Sequence, residues 1–198
     1  MKIELNGHHL TWYVHEICMH CLGANLAYRE LRLILVDVQT RQSRLVWFQL
    51  TSFLHHAAMV SKFLAPIKPN AVASARATAL KEILDVEPSS EVLSRDARDN
   101  IEHFDERMDR WVSDSTPSIL ESVLDNRGDC DYLRVSEKRV KRLLIADEMV
   151  FVSESRDSSK FEVRLQSVFE ELQRICTAAE QWIGQSSPYT FTFPKHER

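Results

Sequence analysis

Glycine and proline are scarce in this chain, which has 4 Gly and 6 Pro among 198 residues. All-β sandwiches and barrels need many turns, and these two residues usually supply them, so the shortage favours long helices. A large excess of basic residues is also missing, because the formal net charge is −4. A global positive field for nucleic acid is therefore excluded, and any such contact would have to be local.

Long apolar runs and dense cysteine patterns are missing as well. The first residues contain no apolar signal-peptide core, and the longest uncharged run, residues 45–61, is short and interrupted by polar side chains. Four cysteines without dense spacing fit reduced thiols better than a disulfide framework. We therefore expect a soluble, cytoplasmic protein with no membrane association.

Apolar residues recur at helical spacing through most of the chain. Spacings of three and four predict helices at about 11–36, 44–64, 73–84 and 164–183. The first two of these would form an antiparallel hairpin. A further helix is predicted from about Glu91 to near Ser113, with Ser89 or Ser90 as its N-cap. A short helix is predicted over 118–124.

The sequence changes in character after Gly128. Short β-branched segments separated by polar turns predict two or three small antiparallel strands. The expected fold is mainly α: an antiparallel helical bundle with a small antiparallel β-hairpin or meander near residues 130–163 and a C-terminal helix. We expect one domain over 1–198, with the bundle in 1–125, the β-hairpin element in 128–163, the C-terminal helix in 164–184 and an extended tail in 185–198.

The segment 94–111 has the densest mixture of opposite charges in the chain, on a predicted amphipathic helix. It contains Arg98 and His103, which are five positions apart and fall on opposite shoulders of the predicted buried stripe. Two side chains so widely separated on one helix converge poorly on a single phosphate. A catalytic site here would therefore need a second copy of the helix across a two-fold axis.

The run Arg98-Asp99-Asn100-Ile101-Glu102-His103 resembles the HEPN superfamily, whose helical-bundle ribonucleases carry an Arg and a His separated by four to six residues on a helix. The resemblance implies metal-independent RNA cleavage by a homodimer of the toxin or defence type, with no cofactor and with an antitoxin or other protein as partner. Arg98 would hold the scissile phosphate, and His103 would transfer protons. The residues that would orient the imidazole or contact the phosphate are Asp99, Asn100, Glu102 and Arg107.

Ordinary surface ion pairs are the other explanation of this helix. Arg98 would pair with Glu102 and Asp105, about one and two turns away, and His103 would pair with Asp99. Such pairs stabilise a helix without any catalysis. The alternative function is therefore a non-catalytic helical protein that binds itself or another protein, or has a structural role.

One basic cluster stands out, between residues 134 and 142. A solvated turn is its ordinary explanation, but it is also the natural place for a local phosphate contact. The residues of this candidate nucleic-acid patch are Lys138, Arg139, Lys141 and Arg142.

The spacing of Cys18 and Cys21, with His15 and His20 nearby, invites comparison with zinc sites. On a helix, however, Cys21 falls in the buried ladder and His20 points almost a third of a turn away from it, and structural zinc sites usually hold paired cysteines on a turn. Buried thiols in helices are common. We therefore expect no metal site.

Overall fold

The structure is a computed structural model that describes residues 5–37, 39–41, 43–94, 101–114, 118–129, 136 and 139–187. Within these ranges the fold is mainly α, with one small sheet. The helices are α1 (Gly7–Val36), α2 (Arg44–Leu64), α3 (Ala71–Ile83), α4 (Phe104–Ser113) and α5 (Leu165–Ser186). The strands are β1 (Ile119–Leu124), β2 (Val140–Ile145), β3 (Val150–Glu154) and β4 (Lys160–Arg164). No helix in the described ranges combines the length and apolarity needed to cross a membrane.

Helices α1, α2 and α5 build the main core, at the positions that their apolar ladders predict. Tyr28 of α1 is buried between two rings: Phe53 of α2, with centroids 5.4 Å apart, and Phe169 of α5, stacked at 4.1 Å. Its hydroxyl donates a hydrogen bond to Gln166 of α5. Three helices therefore meet at one tyrosine. The part of the predicted tail beyond Ser187 lies outside the described residues.

Helices α1 and α2 run in opposite directions and approach closely in the middle. Tyr13 near the start of α1 contacts Phe63 near the end of α2. At Gly23 an added methyl group would lie 2.7 Å from Cδ2 of the His56 ring. The Nδ1 atoms of His56 and His20 are 3.0 Å apart, so the His56 ring is held in this position. Glycine is therefore required where α2 packs against α1.

The sheet has the order β1-β2-β3-β4 and is mixed. Strands β2, β3 and β4 form an antiparallel meander, with Leu144 opposite Phe151. Both of these residues belong to the main core, whereas their neighbours Leu143 and Val152 belong to a second, smaller apolar cluster. This alternation is the ordinary two-residue period of a strand.

The β element departs from the prediction at its start. β1 pairs with β2 in parallel, so the sheet is not a purely antiparallel hairpin or meander. The segment 118–124, predicted as a short helix, contains this strand. Its six residues are too few for a helical and an extended period to be told apart. Pairing with β2 decides the conformation, and local sequence does not encode that pairing.

The prediction of one continuous helix from about Glu91 to near Ser113 is also wrong. Its first residues form a single 3₁₀ turn, Glu91–Leu93, and Ser94 leaves the helical conformation with φ −58° and ψ 136°. His103, with φ −116° and ψ 34°, is the N-cap of α4. Apolar spacing continues through this segment although the backbone does not remain helical, because side-chain periodicity does not report on individual backbone angles.

We predict that Gly23→Ala changes stability with opposite signs in two backgrounds. In the wild type the added methyl meets the His56 ring, which costs about 1–3 kcal/mol of unfolding free energy. In a His56→Ala background the ring is gone, and alanine stabilises the helix by about 1 kcal/mol relative to glycine. Urea unfolding of the four proteins measures both effects. Stabilisation in both backgrounds would contradict the close approach.

Candidate functional site

His103 is the one member of the predicted catalytic pair that the structure places, because Arg98 lies outside the described residues, as do Asp99 and Asn100. The His103 side chain is 49% exposed. Its Nδ1 lies 3.1 Å from Oε1 of Glu106 in the first turn of α4. A carboxylate at Nδ1 fixes the orientation of an imidazole and leaves Nε2 as the nitrogen that can meet another group.

Two further residues of the predicted site are directed elsewhere. Glu102 forms an ion pair with Lys62 of α2. Arg107 is buried, and its guanidinium donates a hydrogen bond to the backbone oxygen of Glu154. Arg107 therefore ties α4 to the end of β3. Its burial does not agree with the predicted contact to a phosphate or to the imidazole.

The predicted basic patch is only partly at the surface. Lys138 lies outside the described residues, and Arg139 is exposed. Lys141 is buried, and the Arg142 guanidinium is largely covered. Lys141 and Arg142 are therefore not available as an exposed phosphate-binding pair, contrary to the prediction for these two residues.

Arg142 is covered by aromatic rings. Its guanidinium carbon lies 5.0 Å from the centroid of Trp47 and 4.4 Å from that of Phe104, and its charge is paired with Glu121 on β1. Cation–π contacts of this kind stabilise a guanidinium that has lost water. Burial lowers the pKa of Arg142 to about 10, still well above neutral pH. The residue thus joins the sheet to α2 and to the start of α4.

Lys141 belongs to a buried cluster of charges centred on Glu154. The Nζ atoms of Lys141 and Lys160 each lie 3.3 Å from Oε1 of Glu154, and Nε1 of Trp111 donates to Oε2 at 2.8 Å. Asp114, at 3.9 Å, is a second acid near Lys141. Glu154 is not among the predicted site residues. The register that pairs β2 with β3, when extended, places it opposite Lys141.

The histidines and cysteines between α1, α2 and α5 serve packing. Burial is the main cause that lowers the pKa of His20 and of His56, which favours a neutral pair. Hydrogen bonding to Cys176 of α5, together with burial, raises the pKa of Cys18 and Cys21, so these thiols stay protonated. Across the part of the chain that the structure describes, no group of three or more His, Cys, Asp or Glu could hold a metal ion.

A row of exposed apolar side chains runs along α1, and we call it the α1 stripe. Its members are seven positions apart and lie roughly 180° from the mean direction of the buried α1 residues. The buried ladder predicted for this helix does not include this second row, although its heptad spacing is visible in the sequence. The residues and their exposed fractions are Trp12 (63%), Met19 (62%), Leu26 (58%) and Leu33 (66%).

Comparison with protein-family models, with curated proteins and with solved structures found no match to this chain. The resemblance to the HEPN superfamily therefore rests on the motif at 98–103 alone. Function has to be argued from the geometry of the described residues.

We predict that Glu154→Gln lowers the free energy of unfolding by about 3–5 kcal/mol, because it leaves the buried Lys141 ammonium without its carboxylate. The double variant Glu154→Gln/Lys141→Met should recover part of this loss, since the stranded charge is removed. Urea unfolding measures the difference. The control is Glu162→Gln on β4, whose carboxylate pairs with Arg127 at an exposed position and should contribute about 1 kcal/mol or less. Equal effects of Glu154→Gln and Glu162→Gln would contradict a buried cluster.

Proposed function

We propose that this protein is a non-catalytic helical protein that binds another protein molecule through the α1 stripe. The observation that carries the proposal is the exposure of Trp12, Met19, Leu26 and Leu33 on one line of a long helix. Single exposed apolar residues are ordinary on a monomeric protein, whereas large apolar areas usually mark interaction sites, and four large apolar side chains aligned on one helix fit the second case. We propose a cytoplasmic location for this activity.

Among the residues that the structure describes, the packing of α1 does not depend on the stripe. The opposite side of the helix already fills the core through residues such as Tyr28 and Leu31, which are buried. Exposing Trp12 and Leu33 to water has no benefit for folding, whereas a partner that covers them would gain the hydrophobic free energy of burial. Tryptophan is also a residue that often anchors protein interfaces.

We expect a photo-crosslinker at Leu26 to capture a protein in the cells from which the chain derives. Benzoylphenylalanine in place of Leu26 would lie within the covered face, so irradiation should give a discrete product of higher mass. The matched control is the same group in place of Val112 on α4, which is 81% exposed but lies apart from the stripe. Denaturing gels measure the yield. No product at Leu26, or equal yields at both positions, would refute the proposal.

A second candidate function is that of a HEPN-like, metal-independent endoribonuclease that acts as a dimer and is controlled by an antitoxin or other protein. The observation that favours it is the exposed His103 imidazole with a carboxylate at Nδ1, an arrangement suited to proton transfer. In this proposal Arg98 binds the scissile phosphate of the RNA. The acidic residues Asp105 and Glu106 in the first turn of α4 oppose a phosphate backbone and would have to be offset by bound cations or by a partner.

An RNA-cleavage assay in the presence of a chelator tests this second candidate. Wild type should cleave, and Arg98→Ala and His103→Ala should each lose activity by roughly 100-fold or more, because each removes one chemical role. His55→Ala, which removes another exposed histidine, is the control and should retain activity. Absence of cleavage by wild type, or equal cleavage by all four proteins, would exclude the ribonuclease.

A further inference from the structure

The charges beside the α1 stripe are separated by sign. On a helical wheel Glu16 and Glu30 lie on the side of the stripe that faces α2, where His20 contacts His56. Arg29 lies on the other side, towards α5. We call these sides the acidic shoulder (Glu16 and Glu30) and the basic shoulder (Arg29). A helix with one acidic and one basic shoulder is complementary to a copy of itself in one orientation only.

We infer that the occupant of the α1 stripe is a second copy of this chain, with the two α1 helices side by side and parallel about a two-fold axis. The inference rests on the proposed binding role of the stripe and adds the identity and direction of the partner. An axis parallel to the helices brings the acidic shoulder of one copy against the basic shoulder of the other. Arg29 then faces Glu30 of the partner subunit, and the symmetry makes this contact twice.

The antiparallel arrangement is disfavoured by the same charges. A two-fold axis perpendicular to the helices brings like shoulders together, so that Glu16 would approach Glu30 of the partner subunit. Like charges across an interface oppose association and exclude wrong orientations. The sequence of the helix therefore selects the parallel pair.

The spacing of the stripe suits a helix as its occupant. A seven-residue repeat keeps Trp12, Met19, Leu26 and Leu33 on a line that a neighbouring helix can follow with a slight left-handed crossing. In the parallel pair each of these residues meets its own copy. The parallel pair thus brings apolar side chain against apolar side chain along the whole stripe.

The area available is close to what a stable dimer needs. Multiplying the exposed fraction of each stripe residue by the usual accessible area of its type gives an exposed apolar area of roughly 500 Å² per subunit, or about 1,000 Å² for two copies. Standard interfaces bury about 1,200–2,000 Å² in total. The residues of the two shoulders, and Leu22 between the stripe and Arg29, add to the area that the pair would bury. Tryptophan and methionine are also among the residue types enriched in such interfaces.

Analytical ultracentrifugation of wild type and charge variants tests the inference. Wild type should be a dimer, and Leu26→Lys should weaken it by roughly 100-fold in Kd, because a charge enters the apolar contact. Val112→Lys, which adds the same charge elsewhere, should leave Kd unchanged. Circular dichroism and urea unfolding establish that each variant is folded.

The orientation is tested by reversing the shoulders. In the parallel pair Arg29→Glu and Glu30→Arg should each raise Kd by about 3- to 10-fold, since each creates two like-charged contacts. The double variant Arg29→Glu/Glu30→Arg exchanges the shoulders and should restore the wild-type Kd. In an antiparallel pair Glu30→Arg would instead lower Kd, because it removes the repulsion between Glu30 and Glu16 of the partner subunit. Glu82→Arg on α3 is the control for added charge.

Three results would overturn the inference. Wild type could be monomeric at all concentrations, the dimer could survive Leu26→Lys, or the single reversals could tighten it. Failure of the dimer can be told apart from failure of the binding role of the stripe, because photo-crosslinking at Leu26 identifies the captured molecule. A product that contains a different protein would leave the binding role of the stripe intact and exclude the second copy.

Discussion

The ring of Tyr28 is in contact with Phe53 of α2 and with Phe169 of α5, and its hydroxyl donates a hydrogen bond to Gln166. A buried hydroxyl is tolerated only when it is hydrogen-bonded, and burial here raises the pKa of Tyr28, so the phenol stays neutral. This contact fixes which side of α1 faces the core. Because α2 and α5 both pack on that side, the large apolar side chains on the opposite side of the helix stay exposed, and the α1 stripe is the consequence.

The long helices could be predicted from sequence because their signal is local. The apolar ladders of α1, α2 and α5 extend over several turns, and the observed bounds lie within a few residues of the predicted ones. β1 could not be predicted, since its conformation depends on pairing with β2, about twenty residues away. The break at Ser94 was missed for a different reason. It is a change of backbone angle within an apolar pattern that continues unchanged.

The site was less predictable than the fold, because charge in the sequence does not reveal burial. The sequence predicts a basic patch, with a solvated turn as its ordinary explanation, but Glu154 pairs with Lys141 and two aromatic rings cover Arg142. The partner of Lys141 lies on the adjacent strand, so the pair becomes visible only when the register of the hairpin is known. The burial of Arg107 was equally hidden in the sequence, because its partner is a backbone oxygen of β3 that only the fold brings close.

His103 and the α1 stripe lie at different places around α2, and this limits how copies of this chain could assemble. α1 contacts α2 through Phe63 and His56, whereas Glu102, next to His103, reaches α2 through Lys62. His103 therefore lies beside α2 and not on the α1 stripe. If His103 also had to meet its own copy, a second isologous contact would be needed. Two such contacts on one chain produce a closed tetramer of dihedral symmetry when their axes intersect at right angles, and otherwise an open, growing array.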